Sequence, residues 1–263
     1  DFVILTHIHE DHVCGVEALL GEVEIARFLL PYLPAIIDTP DINLPHTLPF
    51  NIRAYAKAYN AYKAILTHAR NTGIPCANIL EGGPITLFDD LSLTVLEPRP
   101  TDAVRYKKAL ETLSGLTEYE AQLEAVTELD ATSNDHSLVL ALERDGYSFL
   151  LASDNCPYNW QEKTFSFAKN GNVLKLPHHG QADALNDTLL AHLGFDWIVT
   201  SSSSDRRNNS SNRRVYERLR AVKEDITLLF TDEVHYEPFF TEERSNVHAL
   251  GFLIQDGNMN VIV

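Results

Sequence analysis

Cysteine is scarce in this sequence of 263 residues: Cys14, Cys76 and Cys156 are all there is, and no two form a CxxC pair. An odd number at that spacing argues against a disulfide framework and against a zinc ribbon, and it makes a reducing compartment, the cytoplasm, the expected location. Long apolar runs are missing too. No stretch reaches the roughly 20 apolar residues of a membrane span, so no membrane contact is expected from these residues. Positive charge is in short supply, with Lys+Arg 21 against Asp+Glu 37 and a formal net charge of −16. That balance disfavours coating of nucleic acid or anionic lipid over a whole face. The opening residues Asp1-Phe2-Val3-Ile4-Leu5-Thr6 lack the basic region and cleavage site of a signal peptide. What remains, 44% hydrophobic and 22% charged, is the composition of a globular α/β-sized domain with ample chain for a core.

Local pattern then divides the chain. Phe2–Leu5 is a short apolar run, the mark of a buried strand, and Val13, Val16, Leu19 and Leu20 predict a helix over about 13–20. Residues 24–50 read as a strand followed by Pro-rich loops. The spacing of Tyr55, Tyr59, Tyr62, Ile65 and Leu66 predicts a helix over 51–72 that Gly73 ends. Short strands are expected at 79–80, 85–87 and 91–96, and the polar segment 101–133 reads as an insertion, helical in part. An Asp145-Gly146 turn joins strands 137–142 and 148–152 into a hairpin. Helices over 159–169, 185–193 and 212–223 alternate with strands at 173–176, 197–200 and 226–230, and strands 249–254 and 259–263 close the chain. Mixed strands with interleaved helices indicate a layered α/β domain, read here as a single one.

The strongest chemical signal follows the first strand: His7-x-His9-x-Asp11-His12. In an extended segment residues two apart project to one side, so His7 and His9 can converge on one ion. Asp11 and His12 fall where the chain turns into a helix and can face a second. Imidazoles with a carboxylate, leaving positions for water, suit one or two catalytic zinc or manganese ions rather than a closed structural site. Three solvated histidines are the competing reading, which that spacing disfavours.

The stretch from Val3 to Gly15 resembles the hallmark motif of metallo-β-lactamase-fold hydrolases. Ile74 through Pro98 (IPCANILEGGPITLFDDLSLTVLEP), Asn134–Leu140 (NDHSLVL), Tyr147–Asp154 (YSFLLASD) and Leu174–Gly180 (LKLPHHG) are similar to the hydrolase domain of ComEC-type DNA-uptake proteins and their free-standing relatives. The resemblance covers nearly the whole chain. It implies an αββα four-layer sandwich, with Asp154 bridging two metals and one of His178 and His179 as a ligand. His178 is favoured for the metal and His179 for handling a proton. Read without the resemblance, Asp154 is more readily a turn-capping residue, and a pair of solvated loop histidines is the lesser alternative for His178 and His179.

Three departures from the family pattern stand out. Ser153 replaces the usual glycine before the bridging aspartate. His136 is near, but off the face of, a further histidine that the wider superfamily uses. Ser210-Ser211 falls where the family often has His-Pro ahead of its last long helix. The family's first strand hairpin is also missing, so an N-terminally incomplete domain is expected. Near the serine pair, Arg206, Arg207, Arg213, Arg214, Arg218, Arg220 and Lys223 lie within 18 residues and make up seven of the 21 cationic residues. Arginine forks match phosphate, and Arg206, Arg207 and Arg213 are the candidate substrate contacts; a solvated helix face is the equal alternative.

The expected function is therefore a metal-dependent hydrolase of phosphodiesters or related phosphate esters, nucleic acid among them. His7, His9, Asp11, His12, Asp154 and His178 would hold metal, and Asp11 would orient the attacking water. A lactonase or thioesterase on the same fold, or an inactive metal-binding regulatory relative, are the alternatives.

Overall fold

The computed structural model describes residues 2–80, 84–88, 90–201, 211–232, 251–255 and 257–262, and it is a mixed α/β structure. The chain gathers into two compact units, Asp1–Gly82 with Pro98–Ser137, and Gly83–Glu97 with Leu138–Val263.

The first unit carries strands β1 (Phe2–Ile4), β2 (Arg27–Leu30) and β3 (Cys76–Asn78), paired in parallel in the order β1-β2-β3. Helix α1 (Glu10–Ala18) starts three residues earlier than apolar spacing predicts. His9 is extended just before it, and Glu10 and Asp11 bring negative charge to the first turn, where the helix dipole favours it. Helix α2 (Phe50–Thr72) matches its expected span and ends at Gly73, whose φ of 72° is the left-handed cap that glycine adopts without strain. The strand expected at 79–80 lies instead at Cys76–Asn78. Asn78 Oδ1 accepts from the amide of Leu80 at 3.0 Å and turns the chain there.

Segment 101–133 is far more helical and more buried than its polarity predicts. It forms α3 (Pro100–Gly115) and α4 (Tyr119–Ser133), and Tyr106, Leu110, Leu113, Val126 and Leu129 join the core of the first unit. That core is rich in tyrosine, and each buried hydroxyl finds a partner. The Tyr55 and Tyr106 hydroxyls are 2.7 Å apart, Tyr62 donates to the Tyr32 carbonyl at 2.6 Å, and Tyr59 to that of Leu110 at 3.4 Å.

The second unit is built on a seven-stranded sheet in the order β10-β9-β8-β7-β6-β5-β4. Strands β4 (Ile85–Phe88), β5 (Leu91–Glu97), β6 (Val139–Arg144) and β7 (Tyr147–Leu151) run antiparallel in turn. Strands β8 (Val173–Lys175), β9 (Trp197–Thr200) and β10 (Thr227–Phe230) continue in parallel from β7. The β6–β7 turn has Asp145 at φ 50° and Gly146 at φ 82°, the paired positive φ of a tight hairpin. Helices α5 (Glu162–Asn170), α6 (Asp187–Ala191) and α7 (Arg213–Val222) connect the parallel strands, and β11 (Gly251–Gln255) pairs with β12 (Asn258–Ile262). Among the described residues, no helix is long and apolar enough to cross a membrane.

One buried charge organises this unit. Glu97, 1% exposed, accepts from the Gln161 amide at 2.6 Å, the Gln161 side chain at 2.7 Å and the Thr164 hydroxyl at 2.6 Å. A carboxylate from β5 thereby caps the start of α5, which has no cap of its own.

Candidate metal centre

In the first unit, the loop from β1 to α1 gathers three imidazoles. The ring centroids of His7 and His9 are 4.9 Å apart, and those of His7 and His12 are 4.2 Å apart. His7 Nε2 faces His9 Nδ1 at 3.2 Å. Two nitrogens bound to one tetrahedral ion at about 2.0–2.1 Å each lie about 3.3 Å apart, so this pair already has the bite of a chelate. Thr6 Oγ1 sits 3.1 Å from His7 Nδ1 and 3.5 Å from His12 Nδ1, which turns the Nε2 of His7 toward His9. Asp11 Oδ2 and His12 Nε2 are a second pair, 3.5 Å apart. Glu10, inside the same motif, is drawn off: Lys57 on α2 holds its carboxylate at 2.6 Å, and this hydrogen bond pushes the Lys57 ammonium pKa upward.

Two features of this half were not legible in the motif. The Ser133 hydroxyl donates to the Ile8 carbonyl at 3.1 Å and pins α4 to the histidine loop. Asp130, one turn earlier on α4, brings Oδ1 to 3.5 Å from His9 Nε2, while its Oδ2 accepts from Asn51 at 2.7 Å. His9 Nε2 is buried and makes no hydrogen bond among the described residues. Its ring therefore stands with Nδ1 toward His7 and Nε2 toward a carboxylate, the arrangement by which an outer acid orients a ligating imidazole. Only the folding of α4 onto the loop reveals Asp130, which lies 121 positions from His9 in a segment that reads as an insertion. His136 is taken up elsewhere, with Nδ1 2.7 Å from the Thr132 carbonyl and its ring stacked on Tyr106.

The second unit carries the other candidates at the ends of β7 and β8. Asp154, 3% exposed, has Oδ2 3.4 Å from His179 Nε2 and Oδ1 3.8 Å from Lys175 Nζ. His179 Nδ1 lies 2.6 Å from the Ser201 carbonyl, and a hydrogen bond donated there leaves the Nε2 lone pair directed at the carboxylate. A lone pair facing an anion repels it unless a proton or a metal cation lies between them, so the donor set fits a cation.

The backbone pays for this placement. His178 (φ 43°), His179 (φ 53°) and Gly180 (φ 73°) are left-handed in succession, and Ser153 is too, at φ 47°. Each non-glycine residue there forgoes roughly 1–2 kcal/mol, strain of a kind that collects at functional sites. The Ser153 carbonyl ties the two loops together, accepting from the His178 amide and from Lys175 Nζ, each at 2.9 Å. A glycine at position 153 would hold this backbone without strain.

The same turn sends the two histidines to different partners. His178, the favoured ligand on sequence, points to Asp183, with Nδ1 3.0 and 3.1 Å from the carboxylate oxygens; His179 is the one beside Asp154. Sequence could not rank them, because a left-handed turn sends adjacent side chains to directions that neither strand nor helix spacing predicts. Burial raises the Asp183 carboxyl, but the hydrogen bond and charge of His178, a backbone amide and the Cys156 thiol together hold it below the usual carboxylate range.

The arginine run is largely committed to local structure. Arg213 pairs with Glu217 at 2.9 Å, Arg218 with Asp187 at 2.7 Å, and Arg220 with the Glu224 carbonyl. Lys223 holds Asp196 at 2.6 Å and the Phe195 carbonyl at 2.9 Å. Ser211 is buried. Arg206, Arg207 and Ser210 lie outside the described residues. Several groups of His, Asp and Cys could thus hold a metal ion.

With this geometry in hand, comparison with known proteins gives one informative result. No family model matches the chain. It is 23% identical over 234 residues to ComE operon protein 3 of Bacillus subtilis (strain 168), which covers 89% of this chain and 24% of that protein. The chain therefore spans about a quarter of the length of the curated relative it matches.

Proposed function

We propose that this chain is a metal-dependent hydrolase of the metallo-β-lactamase αββα class, acting on a phosphodiester or related phosphate ester. The observation that carries this reading is the facing pair His7 Nε2 and His9 Nδ1 at 3.2 Å, a ready-made chelate in a loop that also presents Asp11 and His12. The similarity to ComE operon protein 3 supports it. His7, His9, Asp11 and His12 in the first unit, and Asp154 and His179 in the second, are the proposed metal ligands, with zinc or manganese as the proposed ion. A divalent ion held there supplies Lewis acidity, lowering the pKa of a water and offsetting charge on a phosphate oxygen. Asp11, at the start of α1, is the residue proposed to orient the attacking water. His9 is steadied by Asp130, and His179 by the Ser201 carbonyl. Arg206, Arg207 and Arg213 are proposed to receive phosphate, nucleic acid included; for Arg213 this means exchanging Glu217 for substrate.

Elemental analysis of the purified chain, followed by turnover of bis-p-nitrophenyl phosphate with added Mn²⁺ or Zn²⁺, tests the proposal. We expect stoichiometric metal and phosphodiester turnover, with His9→Ala losing both together. Metal bound at the histidine set without turnover overturns the hydrolase assignment, and turnover that survives His9→Ala overturns the site.

A further inference from the structure

His178 is left over by the hydrolytic set, and what it meets is chemically specific. Cys156 lies in the loop after β7, His178 opens the left-handed turn after β8, and Asp183 follows that turn. One donor atom from each lies within 4.8 Å of the others. His178 Nδ1 is 3.0 and 3.1 Å from the two Asp183 oxygens. All three residues belong to the second unit.

Sulfur, imidazole nitrogen and carboxylate oxygen are the three donor types that zinc accepts, and three protein ligands with one water is its open four-coordinate pattern. Nitrogen and oxygen ligands of such a shell lie roughly 3.3 Å apart, close to the observed separations. Burial suits the donors as well. Cys156 is 2% exposed and shields its sulfur, whereas the Asp183 side chain is 46% exposed and gives an ion a way in. The positive φ of His178, 43°, accompanies a ring turned to this carboxylate, while the next residue, His179, goes to Asp154.

We propose that Cys156, His178 and Asp183 bind a single thiophilic divalent cation of the zinc class, with water completing the shell. On binding, the thiol gives its proton to solvent and the sulfur ligates as thiolate. The ion fastens the loop after β7 to the turn that presents His179. The inference stands apart from the hydrolase reading, since it uses none of the six ligands assigned there.

Cobalt(II) added to the full chain tests it, because only sulfur ligation gives a near-ultraviolet thiolate-to-cobalt charge-transfer band. We expect the band in the wild type and in the Cys14→Ser/Cys76→Ser double variant, and its loss in Cys156→Ser. Asp183→Asn, at an exposed position that does not threaten folding, is expected to weaken the cobalt affinity read from this band at least tenfold. His9→Ala should leave the band intact even as it empties the histidine set. Absence of the band at saturating cobalt, its survival in Cys156→Ser, or an unchanged affinity in Asp183→Asn overturns the proposal.

Discussion

Gly180 shows how one residue controls the second half of the candidate centre. Its φ is 73°, and a Cβ placed there would meet the Tyr216 hydroxyl at 2.7 Å and Thr200 Cγ2 at 3.2 Å. That hydroxyl is itself bonded to Thr200 at 3.0 Å, and the Gly180 carbonyl accepts from the Asn212 amide at 2.8 Å, so neither neighbour can simply retreat. Gly180→Ala therefore combines left-handed strain with overpacking, and we expect a loss of about 2–4 kcal/mol in urea unfolding. An unchanged midpoint would show that the turn yields. At this scale the motif residues His7, His9, Asp11 and His12 stood out by residue type and spacing, and the structure puts the first two in the loop after β1 and the last two in the first turn of α1. His178 and His179 were not separable, because their directions depend on a backbone conformation that no propensity predicts.

Among the elements, α5 depends on a residue that is remote in sequence. From the end of β5, across 64 positions, Glu97 accepts from the amide of Gln161, the residue just before α5, and from the Gln161 and Thr164 side chains. Removing the carboxylate strands a buried amide, a side-chain amide and the Thr164 hydroxyl. We expect Glu97→Ala to lower stability by about 3 kcal/mol and Thr164→Val by about 1 kcal/mol. The double variant should lose less than the sum, since the hydroxyl has no acceptor once Glu97 is gone. Additive losses in chemical denaturation would refute the shared cap. The strands and α2 were visible from alternation and from the tyrosine-rich helical face. The depth of α3 and α4 was not, because their polar surfaces outnumber the few residues, Tyr106 and Leu110 above all, that enter the core.

For the molecule as a whole, the tyrosine core sets an alkaline limit. Burial pushes the Tyr59 hydroxyl up to about 12, and burial likewise raises Tyr32, Tyr55, Tyr62 and Tyr106. A group with a raised folded pKa stabilises fully below its unfolded value, here the ordinary 10.0, and that stability is lost as pH climbs through the folded value. We expect the share of tyrosinate absorbance that belongs to these five buried tyrosines to appear together with the loss of far-ultraviolet circular dichroism, above about pH 10. Tyrosinate from those five forming well before the fold is lost would contradict a sealed core.

The sequence by itself determined the α/β alternation, the hairpin at Asp145-Gly146 and the end of α2 at Gly73. Each of these depends on short-range periodicity or on one residue's backbone freedom. Tertiary structure alone decided that Asp130 stands beside His9, that His179 rather than His178 faces Asp154, and that Cys156, His178 and Asp183 meet. It also decided that Arg213, Arg218, Arg220 and Lys223 have partners within the fold. Those outcomes depend on which side chains long-range folding brings within a few ångströms, where hydrogen bonds and charge act, and spacing along the chain carries no record of that.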